Sequence, residues 1–107
     1  MITFTVYKNK SGQYKGFDCK GHAGYAESGH DIICAGVSAL VINTINSIES
    51  FTTDDFTADS NEEQGIFLRL TDPGEKTTLL LDSLVLGMEG IKNDNDGEYI
   101  KVIFREV

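Results

Sequence analysis

Apolar and polar positions alternate from Ile2 to Lys8 and again from Tyr14 to Lys20, the pattern of two half-buried strands. Asn9-Lys10-Ser11-Gly12 between them supplies turn residues and predicts a hairpin. From Asp31 to about Phe51 the period changes. Cys34, Val37, Val41, Ile45 and Ile48 fall on one helical stripe, widened by Ile33 and Leu40, and no charge occurs from Ile32 to Ser47. This predicts a central, buried helix. Two further strands are expected at Phe56–Ser60 and Ile66–Thr71, around a turn at Asn61–Gly65. Asp72-Pro73-Gly74 then marks a stop and the entry to a second helix, since proline is tolerated in a first turn. Leu79-Leu80-Leu81, Leu84, Val85, Met88 and Ile91 keep helical spacing to about Asn93, and Tyr99–Arg105 alternates as a last strand. The order ββαββαβ predicts an α+β fold, a single domain over residues 1–107 with two helices packed on a mixed or antiparallel sheet.

Bulk composition narrows the partners. At 107 residues, 40% hydrophobic and 24% charged, the chain is long enough to bury a core without staples. A net charge of −8 and a pI near 4.5 argue against nucleic acid, because phosphate binding rests on Lys and Arg. The same charge argues against an anionic membrane surface and is compatible with a basic protein or peptide. Ile2–Tyr7 alternates like a strand and lacks a basic leader, so no export signal is expected. The uncharged run Ile32–Ile48 contains Asn43, Thr44 and Asn46, and reads as too short and too polar to span a bilayer. Two cysteines in such a chain are expected to stay reduced, in the cytoplasm.

Candidate chemistry concentrates between the second strand and the first helix. Gly21–Gly36 holds four glycines, two histidines, two carboxylates and a cysteine. Cys34 falls near the start of the predicted helix, where unpaired N–H groups and the helix dipole favour a thiolate. It also falls on the apolar stripe, and an inert buried cysteine fits that position as well. His22 follows the second strand, and the short segment joining it to Cys34 lets base and thiol meet at low entropic cost. A base within hydrogen-bond reach of a thiol is the nucleophile arrangement of covalent catalysis. Gly21, Gly24, Gly29 and Gly36 allow close backbone approach and hinge motion, or serve turn geometry alone. Asp31 directly precedes the predicted helix, as an N-cap or first-turn carboxylate, or as a third group orienting His22.

Other constellations are weaker. Cys19, His22, His30 and Cys34 supply four plausible zinc ligands, but their spacing is unusual for a structural site, and Cys19 fits an alternating strand. Asp94-Asn95-Asp96-Gly97 departs from a calcium loop, with Lys92 and Ile103 at ligand places. The acidic pairs Asp54-Asp55 and Glu62-Glu63 read as solvated turns. No phosphate-binding glycine loop is present, and neither a metal nor another cofactor is expected.

The run Gly21–Leu40, GHAGYAESGHDIICAGVSAL, resembles the ribosomal-processing cysteine protease family called Prp. The Glu75–Gly87 segment and the final Tyr99-Ile100-Lys101-Val102 strand are similar too, so the resemblance spans essentially the whole chain. It implies a cysteine endopeptidase that removes a short N-terminal extension from a bacterial large-subunit ribosomal protein, cutting after a Phe-Phe-type apolar stretch. It maps the base onto His22 and the nucleophile onto Cys34, places Asp31 on the family's aspartate, and implies a homodimer. The rival from another class is a ribosome-assembly factor that binds the same partner without cutting it.

Overall fold

The computed structural model describes residues 1–21 and 28–107, and for 28–31 the backbone alone. Strands β1 (Ile2–Lys8) and β2 (Tyr14–Lys20) precede helix α1 (Ser28–Phe51). Strands β3 (Phe56–Asn61) and β4 (Gly65–Leu70), helix α2 (Glu75–Asp94) and strand β5 (Ile100–Glu106) follow. The expected order ββαββαβ is the observed one. The sheet runs β3-β4-β2-β1-β5 and is mixed: β1 pairs β5 in parallel, and the other three pairings are antiparallel.

Alternation decides which face each strand buries. Phe4 pairs Cys19, Val6 pairs Phe17, and Phe17 pairs Leu68, which puts these side chains on one face. With Ile2, Leu70 and Ile100 they meet Val37, Val41 and Ile48 of α1 and Leu81, Leu84 and Met88 of α2 in a single core. Both helices therefore cover the same side of the sheet. The β1–β2 turn is held by Asn9, whose Oδ1 accepts hydrogen bonds from Ser11 N, Ser11 Oγ and Gln13 N. On the opposite face Arg69 pairs with Asp18 at 2.7 Å and lies over the rings of Tyr7 and Phe67.

Three expectations are revised. Helix α1 starts at Ser28, three residues before the predicted start, because the polar Ser-Gly-His-Asp stretch joins the first turn. The stretch Ile32–Phe51, 20 residues with mean hydropathy 1.5, is long and apolar enough to cross a membrane by length and composition. Its isoleucines, valines and alanines outweigh its asparagines; in this fold the helix buries Val37, Val41 and Ile48 against the sheet. Finally, Asp54 is more than a solvated turn residue. Its carboxylate accepts from Gly74 N at 2.8 Å and Thr77 Oγ1 at 2.6 Å, and so caps α2 from outside the helix, since Gly74 has no side chain to do it. These two bonds hold its pKa below the ordinary carboxylate value.

Candidate active site

A cleft of about 650 Å³ opens where α1 crosses the end of the sheet. Cys34, Val37 and Ser38 of α1 form one wall, and Cys19, Lys20 and Gly21 at the end of β2 form the floor with Ile2. Ser60, Asn61, Glu62, Gly65 and Ile66 of the β3–β4 hairpin close the other side. The hairpin is stiffened by its turn: Asn61 Nδ2 donates to Gln64 Oε1, and Asn61 Oδ1 accepts from Gln64 N. It sits tight against β2. Gly65 has φ +71°, and an added Cβ would overlap the Cys19 carbonyl oxygen, so only glycine lets β4 begin this close.

The two cysteines are free and border the same cleft, but their settings differ. Cys19 is an inward position of β2, buried in the core. Burial first, and then the negative charge of a Cys34 thiolate, push its thiol up to about 11. It is a structural thiol at neutral pH. Cys34 is half-buried at the cleft wall, packed against the core on one side and open on the other. The position on the apolar stripe and the position in the site are thus one and the same. The stripe meets the core at Val37, and the cleft begins one turn before it.

Helix geometry changes other parts of the site. Cys34 lies in the second turn of α1, so the unpaired N–H groups of the helix belong to Ser28–Asp31 and not to Cys34 itself. Asp31 lies in the first turn of α1, as one of its two helix-start readings has it; the N-cap alternative does not hold, because the helix begins at Ser28. Gly29 and Gly36 are helical and are not loop hinges. An added Cβ at Gly36 would meet Ile91 Cδ1 of α2 at 4.0 Å, which places it on the helix–helix side. Gly21 does line the cleft; its φ of +95° and the Met1 carbonyl oxygen 2.5 Å from an added Cβ leave no room for a side chain. His22 and Gly24 lie outside the described residues, as do the side chains of His30 and Asp31. The four-ligand zinc set therefore includes two residues outside the description. Among the described residues, no three His, Cys, Asp or Glu side chains come together as metal ligands.

The profile of the cysteine protease Prp family matches residues 1–101. The chain belongs to the cysteine protease Prp family, and is a cysteine protease. It is 30% identical over 100 residues to the ribosomal processing cysteine protease Prp of Bacillus subtilis, covering 88% of this chain and 89% of that protein. The fold superposes on the Prp of S. aureus crystallised with a covalently linked product peptide, with TM-score 0.86, 27% identity and coverage of 98% and 100% of the two chains. The S. aureus enzyme with a substrate peptide gives TM-score 0.87, at 26% identity and the same coverage. For a Prp protease the cleft residues Ser60, Asn61, Glu62, Gly65 and Ser38 are a surface that sequence reasoning missed. The hairpin turn carried only a polar, acidic signal, and nothing local shows that a turn thirty residues from Cys34 will face it.

Proposed function

We propose that this chain is a ribosomal-processing endopeptidase that removes the N-terminal extension of a large-subunit ribosomal protein, cutting after a Phe-Phe-type apolar stretch. The single observation that supports the reading best is Cys34, a half-buried thiol on the wall of a peptide-sized cleft in a chain of the Prp family. The mechanism is acyl transfer. His22 takes the Cys34 proton, the thiolate sulfur attacks the substrate carbonyl carbon, and the oxygen takes on negative charge. The N–H groups of α1's first turn are the donors closest in sequence to that charge, so they are assigned its stabilisation. His22 then protonates the leaving amine, and water releases the acyl group from sulfur. A homodimer fits the exposed, uncharged Ile32, Ala35 and Ala39, which recur along one outer side of α1.

The test is incubation of the purified chain with the extended ribosomal protein, followed by mass spectrometry of the products. New termini at one bond are expected from the wild type. His22→Ala should lose on the order of 10²-fold or more, in line with general-base contributions of about 10²–10⁴. Binding without new termini would defeat the reading in favour of an assembly factor.

A further inference from the structure

The cleft does not end at Cys34. A second cavity of about 290 Å³ is lined by Ile42, Ile45 and Asn46 of α1, by Ala58, Asp59 and Ser60 of β3, and by Ile66. Ser60 and Ile66 line both cavities, so the two are one continuous groove between α1 and the edge strand β3. Its origin is legible in the side chains. The inward positions of β3 shrink from Phe56 to Ala58 to Ser60 toward the Cys34 end of the helix. Phe56 fills the space under α1 at one end, while Ala58 and Ser60 leave it open and expose part of Ile42. The far stretch is the more apolar of the two, with isoleucine from both the helix and the sheet.

We propose that this far stretch is a specificity subsite for the substrate, in which Ile42, Ile45, Ala58 and Ile66 receive an apolar side chain distant from the bond that Cys34 attacks. The occupant is an extended peptide, because the groove is continuous with the protease cleft and, among the described residues, β3 is an edge strand paired with β4 alone, which leaves its other edge available for backbone hydrogen bonds. Eight helical steps lead from Cys34 to Ile42, about 12 Å of rise, which an extended chain covers in roughly four residues. Selection of an apolar residue at that distance follows. The inference rests on the peptidase reading and adds to it the residues that measure the substrate.

Two variants at exposed positions test it. Ile42→Glu puts a charge in the subsite, and Ser60→Trp blocks the junction between the two cavities. Each is compared with the wild type on a peptide of about twelve residues spanning the cleavage point and on one of about four residues around the same bond. The ratio of kcat/KM, long to short, is expected to fall roughly tenfold in both variants, the effect of losing one buried apolar side chain. Circular dichroism confirms that the variants fold. A long-to-short ratio near one in the wild type, or an unchanged ratio in both variants, would overturn the subsite alone. Failure of the wild type to cut either peptide would overturn the peptidase reading, and the subsite with it.

Discussion

Cys19 and Cys34 border one cleft from two different elements, and the elements decide what each thiol can do. Cys19 sits on the sheet's packed face near the end of β2, with Phe4 across one pairing and Ile66 across the other. A strand paired on both sides has no freedom to turn that sulfur outward, and burial holds its pKa up at about 11. Cys34 stands on a helix that lies over the sheet's end, where one side of each turn meets the core and the adjacent side meets the cleft. The strand wall is a fixed anvil. The helix wall carries the proposed nucleophile. One residue type is therefore closed in on β2 and accessible on α1, and access is what the proposed chemistry at Cys34 requires.

The largest expected effect separates the two sulfurs by activity. Cys34→Ala should lower peptide cleavage on the order of 10³-fold or more, as loss of a covalent nucleophile does. Cys19→Ala should keep most of the activity while losing about 1 kcal/mol of stability in urea denaturation. Inactivation by the second change and not the first would invert the comparison.

Alkylation sharpens it by a second route. At neutral pH iodoacetamide should modify Cys19 roughly 10²-fold more slowly in the folded protein than in urea, because the thiolate fraction falls with its raised pKa. Peptide mapping reads the two sites separately. Equal rates at Cys19 in both conditions would show that the strand wall is not closed.

A third change attacks the wall itself. Gly65→Ala forces a Cβ onto the Cys19 carbonyl at a left-handed backbone position, and should cost about 2 kcal/mol or more while displacing the hairpin from the cleft. Cleavage per folded molecule should fall with it. An Ala variant with wild-type stability would mean that β4 has room to move away.

The smallest effect is a control at the far end of the fold. Asp54→Ala removes the acceptor for Gly74 N and Thr77 Oγ1, and should lower Tm by several degrees with kcat/KM retained. The pH dependence has a definite sign. Asp54 is held below its ordinary pKa in the folded state, so its contribution is complete above the unfolded value and fades as pH falls through the folded one. The variant should therefore show a shallower acid-side decline in Tm. An identical decline would place the acid sensitivity elsewhere.

The elements themselves were legible because burial writes a period on the chain. Alternation at Ile2–Lys8 and Tyr14–Lys20, and the stripe from Cys34 to Ile48, match the observed strands and helix within a few residues. The start of α1 was not, because Ser28, Gly29, His30 and Asp31 are polar enough to read equally as loop or first turn. Gly36 reads in the sequence as a residue for close approach, hinge or turn, because a glycine's role depends on what packs against it, here α2. The hairpin wall at Ser60–Glu62 gave no signal beyond polarity.

By itself the chain determined its local periods, its single core, its acidic surface and the family-specific run around Cys34, all properties that reside in neighbouring residues or in their sum. Only the tertiary structure decided which sulfur is shut in and which is open, that β5 lies parallel to β1, and that a distant turn faces the helix. Those outcomes depend on contacts between residues far apart in sequence, and such contacts exist only once sheet and helices have closed on one another.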